Sequence, residues 1–157
     1  MDPIGRGIAR RGPGVPWTNG IVPYEISSVF NSTQQEFIIA SMEKLERLIA
    51  INNVQCIRFR PKVSSDLYYI PIVNGSGCSS YVIDMLNTSY DYASVMHYPP
   101  NAFSVNNRPT IEPLQPNVTI GQRFNLSSID IQEVRILYNC SATGVTLPQI
   151  TITTTSN

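Results

Sequence analysis

The side chains best suited to chemistry in this 157-residue chain are one histidine, His97, and three cysteines, Cys56, Cys78 and Cys140. A closed zinc site takes four nitrogen or sulfur ligands, and a catalytic zinc site takes three protein ligands. The chain supplies too few such ligands, because two of the thiols are lost once a disulfide forms. A Ser-His-Asp triad is recognised by its geometry, so His97 among 16 serines predicts none. We expect His97 to be a packed or hydrogen-bonded residue.

The cysteine count is odd, so the three thiols cannot all pair within one chain. In an oxidising compartment an odd thiol indicates an intermolecular bond, a reactive free thiol or a missing partner. The count alone leaves these alternatives open.

Asn-x-Ser/Thr, the acceptor sequence for N-linked glycans, occurs more often than chance predicts. The chain has 13 Asn and 27 Ser or Thr, which would give about two matches by chance, and it has six. We predict acceptors at five of them: Asn31, Asn74, Asn87, Asn117 and Asn125. The sixth, Asn139, is the weakest because it precedes a cysteine. The excess favours a secreted or extracellular protein, although residues 1–14 contain no apolar signal segment as written.

The composition excludes several classes of partner. Eleven basic residues balance eleven acidic ones, so no net field attracts nucleic acid or an anionic membrane. No run of about 18 apolar residues could span a bilayer. A chain of this length can bury a core as a single domain.

The hydrophobic pattern predicts two helices. A capping box at Thr33–Glu36 opens the first, whose apolar stripe includes Met42 and Ile49, and Asn52-Asn53 closes it. Phe37 lies beside that stripe, and the polar face carries Glu43, Lys44, Glu46 and Arg47. The second helix begins at Ser127-Ser128 and runs to Tyr138.

Short β-rich runs predict strands at Ile21–Ile26, Val54–Phe59, Leu67–Val73 and Cys78–Val82. Pro71 restricts the third to a sheet edge or a bend. Residues 83–126 read as irregular, a stretch longer than an ordinary loop.

Six blocks, in this order, together resemble the catalytic domain of the astacin family of zinc metalloendopeptidases: Trp17–Tyr24, Cys56–Phe59, Gly77–Val82, Tyr90–Tyr98, Pro109–Ile111 and Leu137–Cys140. The resemblance implies an α+β fold, a remnant of the metzincin (zincin-like) architecture. It would have a twisted mixed sheet, an N-terminal amphipathic helix and a C-terminal helix, without the active-site helix.

The resemblance also implies roles for Ser94, Val95, Met96, His97 and Tyr98, which match the family's Met-turn. In the family the methionine underlies the histidines that hold zinc. The tyrosine two residues later is an additional metal ligand that moves to stabilise the transition state. By position these are Met96 and Tyr98. His97 lies inside the Met-turn and does not match any of the three zinc histidines.

The family's zinc motif, H-E-x-x-H-x-x-G-x-x-H, is missing from the sequence. The block ending at Val82 passes directly to the approach to the Met-turn, so the resemblance implies an internal deletion near 82/83. Family disulfides would pair Cys56 with Cys140 and leave Cys78 without its partner, which lies in the missing segment. We expect zinc in the intact family but no stable zinc site in this chain, and we expect Tyr92, Val95 and Met96 to lose their cover.

The resemblance divides the chain into three parts: a leader or propeptide remnant (1–14), an astacin-like catalytic domain with an internal deletion near 82/83 (15–140), and a Thr-rich tail or linker (141–157). An intact form would cleave proteins or peptides, and this chain is predicted to be inactive as written, through splicing or an incomplete gene model. The alternative is a secreted, non-catalytic glycoprotein that binds protein partners or competes with the active protease. Cys78 could then form an intermolecular disulfide.

Overall fold

The computed structural model describes residues 16–75 and 86–142. In these residues a short 3-10 turn, Thr18–Gly20, leads into strand β1, Ile21–Ile26, and then helix α1, Ser32–Ile49. Strands β2, Arg58–Pro61, and β3, Ile70–Ile72, follow, and helix α2, Ser128–Leu137, comes last. The α+β class predicted from the sequence is confirmed.

Strand β1 lies at the centre of a three-stranded sheet of order β2-β1-β3. Ile21 pairs with Arg58 and Tyr24 with Ile70, and both ladders are parallel. The resemblance implied a mixed sheet, but the described strands form no antiparallel ladder. Antiparallel pairing in the described residues is an isolated bridge between Ile51 and Val54, outside the sheet. β3 carries Pro71 and lies at the edge of this sheet, as that proline requires.

The predicted start of α1 was two residues late. Asn31 is the N-cap: its side chain accepts a hydrogen bond from Gln34 N, and the Gln34 side chain accepts one from Asn31 N, both at 2.9 Å. Asn ranks above Thr as an N-cap, which favours Asn31 over Thr33. The helix ends at Ile49, earlier than predicted, because Ala50 leaves the helical conformation with a ψ of 149°. Asn52 and Asn53 adopt left-handed conformations in the turn that follows.

The predicted strand Val54–Phe59 is also shifted. Only Arg58 and Phe59 of that range belong to β2. The chain just before it is constrained by Gly20, which has a φ of +67° and would place a Cβ 2.4 Å from the Cys56 carbonyl oxygen. Such close backbone contact is possible only for glycine.

The core lies where α1, the sheet and α2 meet. Ile49, Ile57 and Val134 form its buried cluster, with Cys56 and Phe59 packed against it. Met42 is buried as predicted, but Phe37 is 74% exposed. Glu46, predicted on the solvent face, is half-buried and accepts a 2.6 Å hydrogen bond from Phe59 N. Burial raises its pKa.

The disulfide between Cys56 and Cys140 is present, with the two Cα atoms 5.3 Å apart. It joins the segment before β2 to the residues after α2, which are 84 positions apart in sequence. Cys78, the predicted strand Cys78–Val82 and the 82/83 junction lie outside the described residues. Within the described chain, no helix combines the length and hydrophobicity needed to cross a membrane.

Candidate functional site

Ser94–Tyr98 lie on the loop that approaches the N-terminus of α2. The resemblance predicts that this segment is a Met-turn, and the name is kept for it below. Ser94 is fully buried, and its Oγ donates a 2.7 Å hydrogen bond to Asp130 Oδ1. The backbone nitrogen of Val95 donates to Asp130 Oδ2 at 3.0 Å, and Met96 N donates to Ser94 Oγ at 3.1 Å. One buried carboxylate therefore holds the first half of the turn.

The same carboxylate is part of the N-cap of α2. Ser127 N donates to Asp130 Oδ2 at 2.9 Å, and Asp130 N donates to Ser127 Oγ at 2.8 Å, which completes a capping box. The Ser127 hydroxyl also donates to Asp91 Oδ2. Asp91 Oδ1 accepts from Ala93 N at 3.0 Å. Hydrogen bonds thus connect the loop and the start of α2 in both directions.

His97 is buried, with 2% of its surface exposed, and both of its ring nitrogens have partners. Nδ1 lies 2.9 Å from the Tyr98 carbonyl oxygen, and Nε2 lies 2.9 Å from the Tyr90 hydroxyl. A carbonyl oxygen can only accept, so Nδ1 carries the proton in this arrangement. In a neutral imidazole Nε2 then accepts from the Tyr90 hydroxyl. The expectation that His97 is a hydrogen-bonded residue agrees with this geometry.

Arg123 holds the backbone of the second half of the turn. Its Nη1 donates to the carbonyl oxygens of Val95 at 2.7 Å and His97 at 2.8 Å. Tyr98 is half-buried, and its ring packs edge-on against Phe103, with centroids 5.3 Å apart.

The Met-turn is partly uncovered. Met96 is 57% exposed, whereas Val95 and Tyr92 are half-buried. The expected exposure therefore falls mainly on Met96, whereas the Tyr92 ring lies beside the rings of Tyr90 and His97.

The side chains of the described residues do not fit a catalytic zinc ion. His97 would have to give up its bond to Tyr90 or to Tyr98 to ligate a metal. Among residues 16–75 and 86–142, no three His, Cys, Asp or Glu side chains lie close enough together to hold one. Two of the three cysteines in the sequence are joined to each other.

Asp130, Asp91 and Arg123 did not stand out from the sequence as site residues. Ser127-x-x-Asp130 is a capping-box pattern, and it could have identified Asp130 as a cap. No local pattern indicates that Asp130 also contacts Ser94, which lies 36 residues earlier.

The chain is similar to known proteins over most of its length. The sequence model of the peptidase family described as Astacin matches residues 10–85 and 81–139. Zinc metalloproteinase nas-13 of Caenorhabditis elegans is 31% identical over 190 residues, covering 79% of this chain and 41% of nas-13. Zinc metalloproteinase nas-15 of the same species is 27% identical over 194 residues, covering 82% of this chain and 33% of nas-15. The chain therefore spans less than half the length of either relative.

The fold is similar to that of a solved protease. High choriolytic enzyme 1, a hatching enzyme zinc-protease from Oryzias latipes, matches with a TM-score of 0.61 and 26% identity, covering 77% of this chain and 90% of that one. The family match extends over more than half of the chain. The chain belongs to the astacin family of zinc metalloproteases.

Proposed function

We propose that this chain is a non-catalytic astacin-family domain, which does not hydrolyse peptide bonds in its present form. The observation that carries the proposal is the state of His97. It is the one histidine of the sequence, and both of its ring nitrogens are bonded inside the protein. Family chemistry takes three histidines to hold zinc and a glutamate as general base. The protein's own residues do not supply that set.

The comparisons support an internal deletion near 82/83. The two parts of the family match meet at residues 81–85. Coverage of 79% of 157 residues is about 124, so about 66 of the 190 positions aligned with nas-13 have no residue of this chain opposite them. A single gap of that length would be large enough to hold the zinc helix and its flanks. A transcript read across the codons for Val82 and Ile83 tests this directly.

The proposed domain limits follow the same reasoning. Residues 15–140 form the catalytic domain with its internal deletion. Residues 1–14 are a leader or propeptide remnant, and 141–157 are a Thr-rich tail. The described disulfide ends at Cys140, which supports a boundary there. Limited proteolysis should leave a fragment that ends close to this cysteine.

The proposal includes an oxidising, extracellular location. Disulfides persist in such compartments and are rare in the cytosol, and Cys56–Cys140 is a structural disulfide between distant segments. Because those two cysteines are joined, Cys78 has no second cysteine left in the chain. It is then free or bonded to another molecule, and a non-reducing gel of wild type and Cys78→Ser distinguishes these states.

Metal content and proteolysis test the main proposal together. The purified full chain, dialysed against zinc, should contain far less than stoichiometric metal and should not cleave a quenched peptide library. The nas-13 protein, prepared in the same way, serves as the positive control. Stoichiometric zinc that is lost in His97→Gln, together with cleavage that a chelator abolishes, would contradict the proposal.

A further inference from the structure

All six sequon asparagines lie within the described residues, and every one of them is exposed. An N-linked oligosaccharide is attached to the side-chain nitrogen and has to project into solvent. Exposure is therefore necessary, but exposed asparagines are ordinary on protein surfaces. The structure discriminates further, because it shows which of these residues already have a structural reason to be there.

Local structure accounts for the asparagine of one sequon and for both polar residues of another. Asn31 is the N-cap of α1 through its Oδ1. Asn125 Oδ1 accepts a 2.7 Å hydrogen bond from Lys44 Nζ, and the hydroxyl residue of that sequon, Ser127, caps α2 and donates to Asp91. Folding alone explains Asn at 31 and 125 and Ser at 127.

Asn117-Val118-Thr119 is different. Burial alternates along this segment: Asn117 and Thr119 are exposed, Val118 is half-buried and Ile120 is 4% exposed. The apolar residues anchor the segment, and the two polar side chains of the sequon share its solvent side. In the described part of the chain no hydrogen bond of the Thr119 hydroxyl is found, so nothing in the fold requires a hydroxyl there.

The backbone conformation explains the asparagine of this sequon but not its threonine. Asn117 has a φ of 61°, and asparagine tolerates this left-handed conformation better than most residues. Asn107 has almost the same φ, 59°, and is also exposed, but the residue two positions after it is Pro109. The left-handed conformation therefore accounts for asparagine at both positions, but it does not account for Thr119.

We propose that Asn117 is an acceptor of an N-linked oligosaccharide. In this transfer Nδ2 of Asn117 forms a bond to the anomeric carbon of an N-acetylhexosamine. The bond from that carbon to a polyprenyl pyrophosphate donor breaks, the pyrophosphate leaves with the bonding electrons, and Nδ2 loses one proton. The inference rests on the proposed extracellular location but does not depend on whether the domain is catalytic.

The experiment follows the glycan on the full chain. The chain is given a cleavable secretion leader, then expressed in eukaryotic cells and, in parallel, translated with microsomes, where transfer does not require completed folding. Glycopeptide mass spectrometry reads the occupancy of Asn117 in wild type, Thr119→Ala, Thr119→Ser and Asn107→Gln. We expect occupancy in wild type, Thr119→Ser and Asn107→Gln, and its complete loss in Thr119→Ala.

An unmodified Asn117 in both systems overturns the proposal, whether or not other sequons are occupied. Modification at the other sequons alone would leave the extracellular location standing and reject this site. The zinc and peptidase measurements do not involve Asn117, so the two proposals fail separately.

Discussion

Arg135 Nε, on α2, donates a 2.7 Å hydrogen bond to the carbonyl oxygen of Ile49, the last residue of α1 and 86 positions earlier in the chain. Nη2 of the same guanidinium donates to the carbonyl oxygens of Leu48 and Ala50. The last carbonyl groups of a helix have no partners within the helix, and a cation there also interacts favourably with the helix dipole. One side chain of α2 thus caps α1.

Replacing this arginine should destabilise the domain. In Arg135→Met the aliphatic stem is largely kept, but the three carbonyl groups lose their charged donor. We expect the free energy of unfolding to fall by about 2–3 kcal/mol, measured by urea denaturation. Arg108→Met, at an exposed loop position, is the control and should change it by less than about 0.5 kcal/mol. Equal effects of the two substitutions would show that the cap contributes nothing.

The Asp130 carboxylate should stabilise the Met-turn, so its replacement should lower the free energy of unfolding. Asp130→Asn keeps the size but replaces one acceptor oxygen with a donor that faces an N–H or O–H group. We expect a loss of about 2–3 kcal/mol in unfolding free energy. Amide exchange of Val95 and Met96 should speed up by more than global destabilisation explains. Glu112→Gln, at an exposed loop position, should leave both measurements unchanged. Unaltered exchange at Val95 in Asp130→Asn would count against the anchoring role.

The exposure of Met96 predicts selective oxidation. Hydrogen peroxide transfers one oxygen to an accessible thioether sulfur and leaves water, and burial protects the sulfur. Met96 is 57% exposed and Met42 is 9% exposed, so the folded chain should form the sulfoxide several-fold faster at Met96. Peptide mapping follows both sites in one sample. In urea the two rates should converge, and equal rates in the folded chain would indicate that Met96 is covered.

Asp66 should titrate well below an ordinary carboxyl group. Arg60 Nη1 and Nη2 each donate a 2.7 Å hydrogen bond to it, and Val63 N donates a third. The Arg60 bonds, then the Val63 bond, lower the pKa of Asp66 from 3.8 to about 2. Since the folded-state pKa is the lower one, the stabilisation is present above pH 3.8 and is lost as the pH falls through about 2.

An NMR titration of the Asp66 side chain measures this pKa directly. In Arg60→Gln the midpoint should return toward 3.8, because the largest cause of the shift is removed. Arg58→Gln, on the same strand but directed to solvent, should leave the midpoint near 2. A midpoint near 3.8 in the wild-type protein would contradict the ion pair.

Local patterns identified the elements well but placed some of their ends wrongly. The stripe containing Met42 and Ile49 predicted α1, because a helix turns every 3.6 residues and the burial follows that period. Its N-terminus was ambiguous, since Asn31-x-x-Gln34 and Thr33-x-x-Glu36 are overlapping cap patterns. The strand after it was displaced because the close contact at Gly20 and the Cys56 disulfide constrain the chain before Arg58.

The amino-acid sequence by itself determined the class of fold, the family blocks and the shortage of zinc ligands, because each is a matter of residue type and order along the chain. Only the tertiary structure decided what His97 does. Its partner Tyr90 and the Ser94–Asp130 bond depend on how a loop meets a helix, and no sequence spacing encodes such a meeting. The hydrogen bonds that the folded chain provides to both ring nitrogens, and not the composition, explain why the imidazole is buried and occupied by protein partners.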